Sequence, residues 1–285
     1  MLQLRALHAA AFQPPPSIEG ADAWLTDWRA RRLAGARGPA ARLAASLDAA
    51  LRTEIEEHFD RAETSDADRR ALARTLDRFN RLHGSYGRFL RLLRPTLDEV
   101  SAREGRPARV LELASGSGAF SMALAVHARR AGLAVEVTGS DIQPDYVRAA
   151  NAASEARGAG VRFIHLDACA IDLDPGRFDL VFIANSLHHF SARQLAAMVA
   201  GARRVATTGF VGVDGHRSLY LLAWLAVVGA VLPPWPLFLH DSVVTGRKLY
   251  SEPELEAITR LGAPDARVSV RTSWPGYSVV AARWG

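Results

Sequence analysis

Acidic residues close three successive apolar segments of this chain. Glu112 ends Arg109-Val110-Leu111-Glu112, Asp141 ends a run from Ala134 to Ser140, and Asp167 ends Val161 to Leu166. The first acid is followed by a turn of small residues, Leu113-Ala114-Ser115-Gly116-Ser117-Gly118. Such residues let the backbone turn tightly and approach a ligand closely. The helix expected next, Ser121 to about Arg130, opens with free N–H groups and a partial positive charge suited to a carboxylate or phosphate. Glu112 is placed to accept from a cationic amine, Asp141 to take both hydroxyls of a ribose, and Asp167 with the Ala168 N–H to meet the edge of an adenine. One such acid alone is an ordinary turn residue. Three in order beside a glycine turn describe a site for a nucleoside cofactor carrying an amine and a carboxylate.

A second constellation lies further along. Leu187-His188-His189-Phe190 follows the apolar run Phe178 to Ala184, and Asp214 follows Gly209 to Val213. If those runs are neighbouring strands, Asp214 holds the His188 imidazole in one tautomer and favours its charged form. Histidine suits proton transfer near neutrality, so His188 is the candidate base, with His189 as its alternate. The plainer reading is that the pair only shapes a pocket. The glycine turn also has a competitor, the dinucleotide fingerprint G-x-G-x-x-G, whose third glycine position is here Ser121.

The elements that must position these residues are alternating strands and helices from Arg109 onward. Tyr146 to Arg157 and Ala192 to Arg204 read as helices, and Phe178 to Ala184 as a strand buried on both faces. Glu252 to Leu261 is a helix with Ser251 before it and Pro253 at its start. Val268 to Ser273 and Tyr277 to Ala282, joined by Trp274-Pro275-Gly276, form an antiparallel hairpin at the sheet edge. The fold class is α/β, a Rossmann-like doubly wound, mostly parallel sheet of seven strands with ligands at its carboxyl rim. Residues 1–105 read as an N-terminal helical cap and 106–285 as the cofactor-binding domain. Within the first part, apolar stripes such as Leu43, Leu47, Leu51, Ile55 and Phe59 are expected to face the core. Ser218 to Leu239 is apolar and uncharged, but Pro233-Pro234-Trp235-Pro236 cuts it short of the about 20 residues a membrane span needs. It reads as a buried helix and a proline-bent lid, within a lid segment 217–250.

Composition narrows the partners. Apolar residues make up 49% and charged residues 23% of the 285, as in globular chains. The lone Cys169 excludes an internal disulfide and suits a reducing, cytoplasmic setting. A net charge of +5 comes almost wholly from arginines interspersed with acids, with Lys248 the single lysine. No nucleic-acid partner is expected from that pattern. Met1 to His8 lacks an uninterrupted apolar core and soon meets Pro14-Pro15-Pro16, so no signal peptide is read there.

Residues 109 to 216 resemble class I S-adenosylmethionine-dependent methyltransferases of the bacterial small-molecule type. The likeness rests on Val110-Leu111-Glu112-Leu113-Ala114-Ser115-Gly116-Ser117-Gly118, Gly139-Ser140-Asp141, Leu166-Asp167-Ala168 and Phe178 through Phe190. The family usually has glycine where this chain has Ala114. The resemblance implies S-adenosylmethionine as cofactor, with contacts at Glu112, Ala114, Ser115, Gly116, Gly118, Asp141, Ile142, Asp167, Ala168, Asn185 and Ser186, and no metal. It supports His188 as base with Asp214 behind it. It places the acceptor near Tyr86, His216, Arg217, Trp224, His240, Asp241 and Tyr250, while Arg247 and Lys248 read as solvated. The expected reaction is methyl transfer to oxygen of a small, partly apolar or aromatic metabolite, with nitrogen or carbon as alternatives. A nicotinamide-dependent oxidoreductase and a non-catalytic cofactor-binding protein are the rival readings. The lid leaves room for membrane-surface contact without stable insertion, and for a homodimer.

Overall fold

The computed structural model describes residues 17–284, so the reading of Met1–His8 and the proline run falls outside the described residues. Seven strands form one sheet: β1 (Ala108–Glu112), β2 (Val135–Asp141), β3 (Arg162–His165), β4 (Phe178–Ala184), β5 (Ala206–Gly215), β6 (Arg267–Ser273) and β7 (Tyr277–Arg283), in the order β3-β2-β1-β4-β5-β7-β6. The first five are parallel, β7 runs antiparallel to β5, and β6 closes the edge as the expected hairpin. β5 is longer than the sequence suggested, so Asp214 lies within the strand, opposite Ser278, rather than past its end.

Helices cover both faces, which is why β4 reads as nearly continuous apolar sequence. On one face α7 (Ala192–Val205) and α10 (Glu252–Gly262) pack on Leu111, Val181, Ile183 and Phe210. On the other, α4 (Ser85–Glu104), α5 (Ala119–Arg130) and α6 (Pro144–Ala156) pack on Val110, Val137, Leu180 and Phe182. The first helix, α1 (Ala21–Ala34), sinks Ala21, Trp24 and Leu25 into the first of these cores. Position 105 is therefore a boundary in the sequence pattern and not in the packing. α1 and α4 belong to the layered core.

What stands over the carboxyl rim is α2 (Pro39–Leu51), a non-helical stretch from Arg52, α3 (Asp66–Leu82), and a helical hairpin of α8 (Leu219–Val231) and α9 (Leu237–Lys248). Leu72 of α3, Val228 of α8 and Phe238 of α9 form its small core. The hairpin packs closely because Gly229 and Gly246 face it. A Cβ on Gly229 would lie 2.7 Å from Leu239 Cα, and one on Gly246 2.8 Å from Leu222 Cδ1.

Two expectations are corrected here. The stripe from Leu43 to Phe59 is not one core-facing helix: α2 ends at Leu51, and Leu43 and Ile55 are 62% and 47% exposed. Side-chain anchors replace the helix, since Asp241 accepts the N–H groups of His58 and Phe59 at 2.7 and 3.1 Å. Nor is α8 buried. Only Val228 and Gly229 are, while Leu219, Val227 and Val231 stand exposed on its outer side. Among the described residues, no helix is long and apolar enough to cross a membrane.

Glu254 ties this cover to the core. It is fully buried, accepts the Ser251 N–H at 2.7 Å at the start of α10, and takes Arg29 and Arg52 at 2.6 and 2.9 Å. Burial opposes its charge, but Arg52 and Arg29 hold the carboxyl down to about 2. Because the folded value lies below the ordinary 4.5, the stabilisation is present above that pH and lost as pH falls through about 2. Glu254→Ala is expected to cost about 3–5 kcal/mol in urea unfolding, the usual cost of breaking a buried pair. It should also expose the Arg52 stretch to protease. Unchanged stability and protease resistance would show that the anchor is dispensable.

Candidate active site

The turn after β1 is built from left-handed backbone. Ala114, Gly116 and Gly118 have φ of 49°, 51° and 69°. Alanine accepts that region only at a cost, so the departure from glycine at position 114 is strained but geometrically faithful. A Cβ on Gly118 or on Gly139 of β2 would come within 2.3 Å of the Phe163 ring. Both positions need glycine for the turn to close onto the sheet.

Glu112 and Asp141 close β1 and β2, while β3 is shorter than expected and Asp167 lies two residues past its end at His165. Glu112 is buried and accepts from the Ser121 hydroxyl. Burial, reinforced by Asp141 nearby and only partly offset by Ser121, pushes its carboxyl up to about 8. Asp141 accepts the N–H groups of Gly116 and Gln143 at 2.8 and 2.9 Å, which fastens the turn to the end of β2. Burial raises its pKa while those N–H groups oppose the rise. Asp167 accepts the Cys169 N–H at 2.7 Å. The Ser115 hydroxyl oxygen, on a residue of this turn, is buried with no hydrogen-bond partner.

A cavity of about 460 Å³ opens beside this turn. Glu112, Ala114, Ser115, Gly116, Asn185 and Ser186 line its rim side, together with His188, His189 and Asp214. Leu72, Leu76, Phe79, Tyr86, Tyr220, Trp224 and Phe238 make the opposite, largely apolar wall. Asp141, Ile142, Gly118, Asp167 and Ala168 lie outside this lining, with Ile142 itself 54% exposed. The residues therefore fit a ligand that spans an open rim and an enclosed chamber.

His188 sits in a 3-10 turn, Leu187–His189, just beyond β4. Its Nδ1 lies 2.9 Å from Asp214 Oδ2, which also accepts the His188 backbone N–H at 2.9 Å. Its Nε2 lies 3.4 Å from Glu57 Oε1. Burial opposes the charge, but Asp214 and Glu57 together hold the imidazole well above its usual range. Burial likewise opposes charge on Glu57, which His188 and Thr245 nonetheless hold low. His189 Nδ1 meets Asp60 Oδ2 at 2.7 Å. Glu57 and Asp60 escaped the sequence reading, since the stripe through Ile55 and Phe59 read as a core-facing helix and drew attention to its apolar residues rather than to the acids between them.

Of the residues expected around the acceptor, Tyr86, Trp224 and Asp241 line the cavity. Tyr86 donates to Asp77 at 2.7 Å, and Asp241 holds the Glu57 stretch. The other four are not brought there, because each is satisfied elsewhere. His216 pairs with Glu252 at 2.5 Å. Arg217 is spent on Asp48 at 2.5 Å and on the carbonyls of Arg247 and Leu249. His240 bonds Asp241 at 3.0 Å and packs on His58, and the Tyr250 hydroxyl donates to the Phe190 carbonyl at 2.8 Å. Arg247 is not free in solvent either, since it donates to the Leu51 carbonyl at 2.8 Å.

Glu112 generates a pH prediction. Its folded value lies above the ordinary 4.5, so the neutral carboxyl stabilises the fold below that pH, and the contribution is lost as pH rises through about 8. Glu112→Gln removes the titration. The variant should gain on the parent as pH rises, by up to about 5 kcal/mol or about 10 °C in Tm at pH 8.5. Parallel pH profiles of the two melting temperatures would sink the assignment.

Comparisons with known proteins concern the domain that holds this turn. Residues 110–209 match the model of a methyltransferase domain family. The demethylmenaquinone methyltransferase of Thermus thermophilus is 39% identical over 120 residues, covering 42% of this chain and 51% of its own. The ribosomal protein L11 methyltransferase of Geobacter sulfurreducens is 38% identical over 110 residues, covering 38% and 34%. The chain thus spans about half or less of these curated relatives. A solved Pyrococcus horikoshii protein shares the fold with a TM-score of 0.50 at 21% identity, over 70% of this chain and 91% of its own. Together with the acid series and the glycine turn, these matches show that residues 110–209 carry a methyltransferase domain, similar to those of S-adenosylmethionine-dependent enzymes.

Proposed function

We propose that the chain methylates an oxygen of a small, partly apolar or aromatic acceptor seated between the glycine turn and the helical cover. One observation carries this reading: a single cavity joins the Glu112–Gly116 turn to a wall of Phe79, Trp224 and Phe238, with His188 where the two meet. Bound at the turn, S-adenosylmethionine supplies a sulfonium methyl whose C–S electrons return to sulfur as the acceptor oxygen forms its new bond to carbon. The protein's tasks are alignment, exclusion of water and care of the acceptor proton. Glu112 opposes the cofactor ammonium, the orphan Ser115 hydroxyl finds a partner there, Asp141 takes the ribose, and Asp167 the adenine edge. Asn185 and Ser186 line the passage from cofactor to acceptor.

His188 faces the acceptor with Asp214 fixing its Nδ1. In this reading the neutral form of His188, which the Asp214 and Glu57 carboxylates make scarce near neutrality, accepts the hydroxyl proton, so that turnover rises with pH, and Asp214 stabilises the imidazolium that results. His189, tied to Asp60, stands beside it. The helical cover, drawn from α2, α3 and the 217–250 segment, supplies the apolar wall. The exposed outer side of α8 is the surface over which an apolar acceptor reaches it. The T. thermophilus relative is named for demethylmenaquinone, a quinone, which is an acceptor of this apolar ring class.

Calorimetry tests the cofactor half. S-adenosylmethionine should bind saturably and release a proton below pH 8, as the ammonium ionises Glu112, and Asp141→Ala should weaken it at least tenfold. Absence of saturable binding would end the reading. Methyl uptake by phenolic acceptors tests the acceptor half. His188→Ala should lower kcat by about 10²–10⁴, the usual worth of a positioned proton acceptor, with cofactor affinity kept. Turnover of that variant at the parental rate would remove His188 from the chemistry.

A further inference from the structure

Both imidazoles at the site are held in the same way. Each has its Nδ1 on a carboxylate, His188 on Asp214 at 2.9 Å and His189 on Asp60 at 2.7 Å. Each turns its Nε2 toward Glu57, His188 at 3.4 Å and His189 at 4.0 Å from its two carboxylate oxygens. Glu57 is oriented in turn by the Thr245 hydroxyl at 2.9 Å. With each Nδ1 held on its own carboxylate, both Nε2 atoms and the Glu57 carboxylate face one another at the cavity wall, the two rings having centroids 4.2 Å apart.

We propose that Glu57, His188 and His189 form a binding site for a divalent first-row transition cation at the acceptor end of the cavity. Two imidazole nitrogens and one carboxylate make a facial ligand set that leaves coordination positions open. The three ligand atoms lie within 4.8 Å of one another. A cation at the usual 2.0–2.2 Å from each requires separations of about 3–3.5 Å, so ligand atoms that now lie up to 4.8 Å apart must close by as much as about 1.5 Å on binding. Asp214 and Asp60 complete the carboxylate–histidine–metal arrangement that fixes tautomer and ring orientation in metal sites. All three ligands line the cavity, so the open positions face the acceptor.

A second group, His58, His240 and Asp241, is equally compact but unsuited. Arg61 places its guanidinium 3.4 and 3.2 Å from the ring nitrogens of the two histidines, and Asp241 is engaged by backbone N–H groups. A cation there would meet a positive charge already in place.

The binding site stands on its own geometry, and its part in turnover rests on the oxygen-transfer reading. The cation withdraws charge from the acceptor hydroxyl, whose proton leaves to solvent. The oxygen lone pair then forms the bond to the methyl carbon, and the C–S bond electrons return to sulfur. His188 acts in this case through the cation it holds rather than by taking the proton.

The full chain, prepared without a histidine tag and stripped with dipicolinate, would be titrated with Co²⁺ by visible absorption and calorimetry. One equivalent should bind with visible d–d bands. His189→Ala should weaken binding at least 100-fold, and Asp60→Asn by about 10–100-fold as an outer-shell partner. His58→Gln should bind as the parent does. No saturable binding to the unmodified chain, or binding that survives His189→Ala, would overturn the proposal, as would binding lost only in His58→Gln. S-adenosylmethionine affinity measured on the same stripped samples should be unchanged, which separates failure of this site from failure of the methyltransferase reading. Methyl uptake that stripping abolishes and Co²⁺ restores would support the cation's part in turnover, and uptake indifferent to stripping would refute it.

Discussion

Parallel strands deliver carboxylates to one rim, and the site depends on how each of those charges is met. Glu112 is answered by burial, which favours its neutral form. Asp141 is answered by two backbone N–H groups and Asp167 by one. Asp214, one strand further along, is answered by an imidazole and by backbone N–H groups. The sheet topology alone brings these acids together, since β3, β2, β1, β4 and β5 are neighbours in that order. In the proposed function, the differences between their partners divide the rim into a cofactor side and an acceptor side.

The same logic builds the cover. Short apolar contacts such as Leu72 with Val228 and Phe238 form only a small core, so long-range polar anchors locate the rest. Glu254 gathers Arg29 and Arg52, Arg217 reaches Asp48, and Asp241 takes the backbone of His58 and Phe59. A buried carboxylate with charged partners is worth little against a well-packed apolar alternative, but removing one partner is costly. These anchors therefore fix where the cover sits more than they add to the stability of the whole.

Much of this was legible because strand-end chemistry is local. The turn from Glu112 to Gly118 and the apolar run of β4 announce themselves by residue type. The contact of His188 with Asp214 follows from two neighbouring parallel strands. Glu57 and Asp60 were illegible for the opposite reason. Asp60 meets His189 across 129 residues, through a stretch whose side-chain anchors its apolar spacing does not reveal. Leu43 and Leu47 misled because spacing by four is shared by a core helix and by a half-exposed one. His216, Arg217 and Tyr250 lie in the segment where an acceptor site was expected, yet each finds its partner within the fold. Helix α9 was missed because Pro233-Pro234-Trp235-Pro236 reads as a break, although proline is as apt at the start of a helix as after its end.

The position of α9 links access to chemistry. Its Thr245 and Asp241 hold Glu57 and the residues just after it, while Gly229 and Gly246 lock α9 onto α8 at backbone distance. α8 in turn supplies Tyr220, Leu221 and Trp224 to the cavity wall. The hairpin thus carries the anchors of Glu57, while His188 is fixed to β5 through Asp214. The pairing of Glu57 with His188 spans the cover and the sheet, whereas the pairing of Asp214 with His188 is built into the sheet. In the proposed function the apolar wall borders the acceptor, where methyl transfer from a sulfonium needs water excluded.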